Sequence, residues 1–262
     1  MDPPVALTVA GSDSGAGAGL QADLKTFAAW GVFGTSVVTA VTAQNTATVV
    51  GVEAMAASFV DLQLDAVLGD FRVAAVKTGM LATTDNVVAV AHRAAAGALP
   101  NLVVDPVLAS SSGTPLLPPE GVGAYRDLLL PHALVATPNL REAQLLTDRQ
   151  VSDVDGMVEA ARTIAAWGPS YVVVKGGHLE GALAPDVVVH GDEVTVLEGP
   201  RIPTRNDHGT GCTLAAATAA GLAWGRDPRE ALVAAKRYVA EALAGAADWR
   251  LGAGHGPLDH FG

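Results

Sequence analysis

Late in the chain, Asn206 Asp207 His208 Gly209 Thr210 Gly211 Cys212 lead straight into a small-residue stretch over 213–225. Such a run reads as a glycine loop opening a helix. Glycine at 209 and 211 leaves the backbone bare of Cβ groups, so consecutive N–H groups can converge on one anion. The first N–H groups of a helix have no internal partner, and the aligned peptide dipoles add about half a positive charge there. Gly209, Thr210 and Gly211 are therefore the expected anion hole for a phosphate. Cys212 is the single cysteine of the 262 residues. At a helix N-terminus a thiol is expected to lose its proton more readily, its pKa falling from about 8.5 toward roughly 7 or below. It is then either a proton acceptor beside a charged leaving group or an inert small hydrophobe of the core.

Composition bounds what can hold this loop. Half of the residues are hydrophobic and only 16% are charged, as expected when strands are covered on both faces. The net charge is −11 with no basic run to offset it, which excludes sequence-wide nucleic-acid binding. Phosphate binding must then rest on helix ends, a few placed cations or a divalent metal. One cysteine forbids an internal disulfide and suits a reducing compartment. No apolar run approaches the roughly 20 residues that span a bilayer, and Met1 Asp2 Pro3 Pro4 lacks the basic start of a signal peptide. A cytoplasmic protein without membrane association is expected.

Short β-branched runs alternate with helical periodicity. Strands are expected at 5–10, 36–42, 74–78, 102–105, 134–137 and 171–175. Helices are expected at 20–30, 59–68, 86–96, 120–129, 140–146, 156–167, 210–225 and 228–244. This alternation implies an α/β fold, a mostly parallel central sheet with helices on both faces. Segments 186–190 and 193–197, parted by Gly191 and Asp192, read as a hairpin at one edge. With no linker or repeat, residues 1–262 are expected to form one domain. Ligands of such sheets sit beyond the carboxyl ends of the strands. The residues there are Gly11 to Asp13, Thr42 and Gln44, Lys77 to Gly79, Asp105, Thr137 and Asn139, and Lys175. An ammonium ending an apolar strand, as at Lys175, needs a partner.

Eight strings in order resemble one family. They are Thr8 Val9 Ala10 Gly11 Ser12 Asp13 Ser14, Gln21 Ala22 Asp23 Leu24 Lys25 Thr26, Thr42 Ala43 Gln44 Asn45 Thr46, and Lys77 Thr78 Gly79 Met80 Leu81. Asp105 Pro106 Val107, Thr137 Pro138 Asn139 Leu140 with Glu142 Ala143, Val174 Lys175 Gly176 Gly177 His178, and His208 to Cys212 complete the set. The chain thereby resembles the hydroxymethylpyrimidine and phosphomethylpyrimidine kinases of thiamine biosynthesis, which have the ribokinase-like three-layer fold. The resemblance implies ATP and Mg²⁺ as cofactors. It also implies a small aminopyrimidine alcohol and its monophosphate as substrates, and a homodimer.

By this resemblance Cys212 stands where most of the wider ribokinase group has an aspartate base. Lys175 is expected at the nucleotide phosphates, and Asn139 on the nucleotide side unless it is only a helix N-cap. Asp105 and Glu142 are expected in the magnesium region, directly or through water; otherwise Asp105 is a strand-end cap and Glu142 a helix-dipole acid. The Gln44 amide can meet one acceptor and one donor of an aminopyrimidine edge. Asp23 would hold the hydroxymethyl or amino group, or is an ordinary exposed acid. Met80 and Val107 would wall the ring, or are plain core, while Gly11 lets a ligand approach the backbone. His208 is read as structural, satisfied by backbone carbonyls.

Three departures stand out. The first loop reads Ser14 Gly15 Ala16 Gly17 Ala18 Gly19 in place of the more frequent Ser-Ser-Gly-Gly-Ala-Gly. Asp207 replaces a usual Thr and adds negative charge beside the anion hole, and the segment 109–113 lacks a Lys that many relatives carry. A pyridoxal or pyridoxine kinase is the nearest alternative; a non-catalytic pyrimidine-binding protein would have no use for a phosphate apparatus. A sugar kinase is disfavoured by Cys212 and the Gln44 string. A dinucleotide oxidoreductase is disfavoured because the first loop is not GxGxxG and no acid ends the second strand.

Overall fold

Valine and alanine runs alternate their side chains between two apolar layers, and that alternation sets the architecture. The computed structural model describes residues 2–110 and 113–262. Its strands are β1 (Val5–Asp13), β2 (Phe33–Gln44), β3 (Val49–Ala54), β4 (Val73–Thr78), β5 (Val103–Val104), β6 (Val135–Ala136), β7 (Tyr171–Lys175), β8 (Asp186–His190) and β9 (Glu193–Leu197). They form one sheet in the order β3-β2-β1-β4-β5-β6-β7-β8-β9. The helices are α1 (Gly19–Ala29), α2 (Ala57–Asp70), α3 (Thr84–Ala95), α4 (Pro119–Ala124), α5 (Leu140–Thr147), α6 (Val154–Ala165), α7 (Thr210–Ala223) and α8 (Pro228–Gly245).

Neighbouring residues of one strand point to opposite layers, as the pleat requires. Leu7, Val76, Val104, Val172 and Val174 pack with Leu64 of α2, Val87 and Val90 of α3 and Met157 of α6. Ala6, Ala75, Val103 and Val173 face the other way, onto Phe27 of α1, the alanines of α7 and Leu232 of α8. The expected sandwich of sheet between two helical layers is thus present. Small side chains let α7 lie close: an added Cβ at Gly221 would stand 2.9 Å from Ala231 Cβ of α8.

The hairpin β8–β9 runs antiparallel at the edge where it was expected. The opposite edge also ends in an antiparallel strand, β3 paired to β2, which the sequence pattern does not announce. The reason is physical: five of its six residues are exposed, so no apolar face marks it. The expected helix 120–129 is also broken. α4 widens into a π turn over Tyr125–Leu129 and closes as a 3₁₀ turn over Leu130–His132, where Pro131 has no amide to continue the ladder.

Consecutive strands run to opposite sides of β1, so a crevice opens above the carboxyl ends of β1 and β4. At this rim the β1–β2 register shifts between Ala10 and Ser12, where β2 runs through one residue more than β1, from Val38 to Val41. Beneath it the fully buried Tyr125 donates its hydroxyl to Gly79 O at 3.1 Å. Tyr125→Phe leaves that buried carbonyl short of a donor and is expected to lower unfolding free energy by about 1 kcal/mol in a denaturant titration. Unchanged stability would show that Gly79 O has another donor.

Candidate active site

The loop before α7 can exist only with glycine at 209. Its φ is +90°, and a Cβ there would lie 1.9 Å from Gly17 O of the first loop. Gly209 is the N-cap of the 14-residue helix α7, with no side chain closing the cap. Thr210, expected in the anion hole, has its amide on Asp207 O at 3.3 Å and its hydroxyl on the same oxygen at 2.5 Å. Among the described residues no acceptor meets the amides of Gly211 and Cys212. Of the expected three, the amides of Gly209 and Gly211 have no acceptor among the described residues while that of Thr210 is taken, and Cys212 adds a further open donor.

Lys175 ends β7 beside these amides. Its Nζ donates to Asp105 Oδ1 at 2.7 Å, and Thr137 Oγ1 donates to the same oxygen at 3.2 Å. An added Cβ at Gly211 would stand 3.0 Å from Lys175 Nζ and 3.8 Å from Asp105 Oδ2, so glycine lets the pair press against the loop. Burial works against the Lys175 charge, but Asp105 and Glu142 raise its pKa above the ordinary value and keep it an ammonium. Asp105 Oδ2 accepts no hydrogen bond among the described residues.

Asn139 and Glu142 form a reciprocal cap on α5. Glu142 Oε2 accepts from Asn139 N at 2.7 Å, and Asn139 Oδ1 accepts from Glu142 N at 2.9 Å. Both residues therefore do the helix-end work that is their ordinary use. Burial pushes the Glu142 carboxyl up to about 8, with Lys175 lowering it and Asp105 raising it. Among the described residues no group of three His, Cys, Asp or Glu side chains could hold a metal. Magnesium carried by phosphates and water needs no such cage. The unpartnered Asp105 Oδ2, facing the loop, fits a water-mediated contact to it, while Glu142 is committed to its cap.

Cys212 departs from expectation. Burial pushes its thiol up to about 11, against the lowering pull of Lys77 and of the Gly19 backbone. Position at a helix start does not outweigh desolvation here. Asp23 departs too: it is fully buried, both of its carboxylate oxygens lie 2.9 Å from Lys77 Nζ, and Thr8 Oγ1 donates to Oδ2 at 2.5 Å. It presents no oxygen to the crevice, both being taken by Lys77 and Thr8. Lys77 stands in one of the matching strings, but the sequence alone assigns it no role. The available signal was a lysine inside an apolar strand, which demands an anion.

At the other side of the crevice Gly11 and Met80 meet, since a Cβ at Gly11 would stand 3.1 Å from Met80 Sδ. Val107 is half-buried two residues past Asp105, its amide on Asp105 O at 2.9 Å. Half-buried Gln44 places Nε2 at 3.3 Å from His208 Nε2. His208 is satisfied by a carboxylate, with Nε2 at 2.9 Å from Asp13 Oδ2, and not by backbone carbonyls as expected. Asp13 also accepts the amides of Gly15, Gly17 and Ala18 at 2.8, 3.1 and 2.9 Å. Burial alone would raise the Asp13 pKa, but the His208 contact and these amides together leave it lowered. Ala16 sits at φ +59° in that loop, at a position where the more frequent string has glycine. Asp207 turns its carboxylate to His255 Nδ1 at 2.7 Å, away from the open amides. Ser111 and Ser112, beside the missing Lys, lie outside the described residues; at their border the Arg141 guanidinium faces Gly113.

A three-layer sheet with a glycine loop, a lysine and an aspartate at one strand rim defines a nucleotide-dependent kinase of the ribokinase-like fold. The chain belongs to the phosphomethylpyrimidine kinase family, whose model matches residues 13–259. It is 50% identical over 258 residues to the hydroxymethylpyrimidine/phosphomethylpyrimidine kinase of Rhizobium meliloti, covering 98% of this chain and 97% of that one. Among solved structures it is similar to an ADP complex of Bacillus subtilis pyridoxal kinase, with TM-score 0.90, 38% identity, and 98% and 97% of the two chains covered. It is also similar to a phosphomethylpyrimidine kinase of Clostridium difficile, with TM-score 0.81, 39% identity, and 92% and 99% covered. Shape alone does not separate the two substrates. No helix among the described residues is long and apolar enough to cross a membrane.

Glu142 supplies a test of the site's electrostatics. Its carboxyl moves from the usual 4.5 to about 8 in the fold, so the folded state binds a proton that the unfolded chain releases in between. Stability of the ligand-free protein is therefore expected to fall as pH rises through that interval and then level off. Glu142→Gln keeps an acceptor for the Asn139 amide and should remove the fall. Denaturation of both proteins at about pH 5 and about pH 8.5 should show the variant gaining on wild type at the higher pH. A gap independent of pH would mean that Glu142 is ionised in the folded protein.

Proposed function

We propose that this chain is an ATP-dependent kinase that phosphorylates 4-amino-5-hydroxymethyl-2-methylpyrimidine and then its monophosphate, in thiamine biosynthesis. The observation that carries the reading is the open pair of amides at Gly211 and Cys212, set against the Lys175 ammonium and the free oxygen of Asp105. Family membership supports the substrate class.

In this reading the amides of Gly211 and Cys212 and the charge of Lys175 neutralise the phosphoryl group in flight. The hydroxymethyl oxygen attacks the γ-phosphorus, the bond from phosphorus to the β–γ bridging oxygen breaks, and ADP leaves with that electron pair. The hydroxyl proton passes to Cys212 Sγ. With its pKa at about 11 the thiol is a minority thiolate at neutral pH, so its share is modest. A loose transition state asks little of a base. Mg²⁺ would supply further neutralisation of the phosphate charge, and Asp105 would hold it through water. Gln44 would read the aminopyrimidine edge while Gly11, Met80 and Val107 shape the ring site, and Asn139 borders the nucleotide. Residues 1–262 act as one kinase domain, a view the single nine-stranded sheet supports.

Pyridoxal phosphorylation is the second reading, favoured by the likeness in shape to the Bacillus subtilis enzyme. Incubation with ATP, Mg²⁺ and each alcohol in turn, with products resolved by chromatography, separates them. The pyrimidine monophosphate and then diphosphate are expected. Turnover of pyridoxal alone would overturn the assignment, and transfer to neither alcohol would leave only a binding protein.

A further inference from the structure

Gln44 is held at both ends before any ligand arrives. Its backbone is pinned by Ser14 of the first loop, whose hydroxyl accepts from Gln44 N at 2.8 Å and donates to Gln44 O at 2.7 Å. Its terminal amide lies between two side chains, Nε2 at 3.3 Å from His208 Nε2 and Oε1 at 3.3 Å from Thr42 Oγ1. Counting protons decides how those neighbours meet it. Asp13 accepts amides at both oxygens and its pKa is lowered, so it stands opposite His208 as a carboxylate and can only accept. The His208 nitrogen 2.9 Å away must therefore carry a proton. Thr42 has one hydroxyl proton, which Ser12 O takes at 3.0 Å, so its oxygen can only accept from Gln44. A donor thus faces the amide nitrogen and an acceptor faces the amide oxygen. A half-turn of the amide exchanges the two atoms without changing its shape and removes both conflicts together.

We propose that His208 is the positioning residue for Gln44: with Thr42 it fixes the amide oxygen toward the imidazole Nε2–H and the amide nitrogen toward Thr42 Oγ1, and so sets which pyrimidine edge the site accepts. The inference rests on the pyrimidine reading for its substrate. His208 Nε2–H donates mainly to Asp13 and, through the weaker arm of a three-centre bond, to the Gln44 oxygen. One N–H and one lone pair of the amide stay open, in a fixed order. The ring carbon bearing the amino group adjoins the one bearing the hydroxymethyl group, and His208 immediately precedes Gly209. With the hydroxymethyl group at the glycine loop, the amino group therefore lies on the His208 side, where the amide oxygen can accept from it. The 4-oxo analogue, with a carbonyl beside a ring N–H, presents the reverse order and would need the amide turned back. The imidazole is itself held: His208 N donates to Gly256 O at 3.1 Å, and a Cβ at Gly17 would stand 2.5 Å from its Cδ2. A residue read from sequence as structural thus governs specificity.

Two measurements test the arrangement. In NMR of the ligand-free protein with isotope-labelled histidine, the ring nitrogens of His208, assigned by their loss in His208→Gln, should show Nε2 protonated. Equilibrium binding without nucleotide then compares 4-amino-5-hydroxymethyl-2-methylpyrimidine with its 4-oxo analogue. Wild type is expected to favour the amine by more than about tenfold, the worth of one correctly met hydrogen bond. His208→Phe keeps a ring against Gly17 but has no N–H, and Asp13 keeps its three amides. In that variant the preference should fall about tenfold, and His208→Gln, whose amide can still donate, should restore most of it. Thr42→Val removes the other hold on the amide and should lower the preference likewise, which keeps the test open if His208→Phe does not fold. A preference unchanged in these variants, or His208 protonated on Nδ1 alone, would overturn the proposal. Binding of neither pyrimidine by a protein with Nε2 protonated would instead preserve the His208 contact and defeat the pyrimidine reading.

Discussion

Two backbones approach more closely at Gly209 and Gly17 than any side chain would permit, and the site is organised by that contact. A Cβ at Gly209 would sit inside van der Waals range of the Gly17 carbonyl, and one at Gly17 would stand 2.5 Å from His208 Cδ2. The loop after β1 and the loop before α7 are thereby held face to face although nearly two hundred residues separate them in the chain. Asp13 then fastens the arrangement from beneath, gathering three amides of its own loop and the imidazole of His208. With this register fixed, α7 starts where its first open amides look across the rim toward Lys175 and Asp105.

Charge is distributed with the same economy. An acidic chain of net charge −11 holds its cationic devices locally: two open amides at one helix end and two lysines, each tied to an aspartate. Lys175 is partly exposed and available to a ligand, whereas Lys77 is sealed. That difference in exposure, more than residue type, separates a group that can touch a phosphate from one that can only tune its neighbours. Desolvation governs the remaining groups as well, raising both the Cys212 thiol and the Glu142 carboxyl.

Much of this was legible in the sequence where the cause is local. The β7 segment Tyr171–Lys175 and the hairpin β8–β9 match their patterns residue for residue, because β-branched runs and a Gly-Asp turn specify them. Asn139 as an N-cap and Glu142 in the first turn follow from the same short-range rules. What was hidden depends on tertiary contact. β3 carries no apolar face, and the break after α4 turns on Pro131 and a buried tyrosine. The Asp23–Lys77 pair joins residues 54 apart, so no spacing rule could reveal it. The rise of the thiol pKa arises from burial against α1, while the helix-start rule that predicted a fall considers only the residue's own helix.

The central claim is that the amides of Gly211 and Cys212 receive the terminal phosphate of a nucleotide opposite a bound alcohol. A crystal structure with a non-hydrolysable ATP analogue, Mg²⁺ and the hydroxymethylpyrimidine tests it directly. The account predicts γ-phosphate oxygens within hydrogen-bonding distance of both amides and of Lys175 Nζ, with the hydroxymethyl oxygen between Cys212 Sγ and the phosphorus. A nucleotide whose phosphates lie away from that turn, or an alcohol directed away from the sulfur, would contradict it.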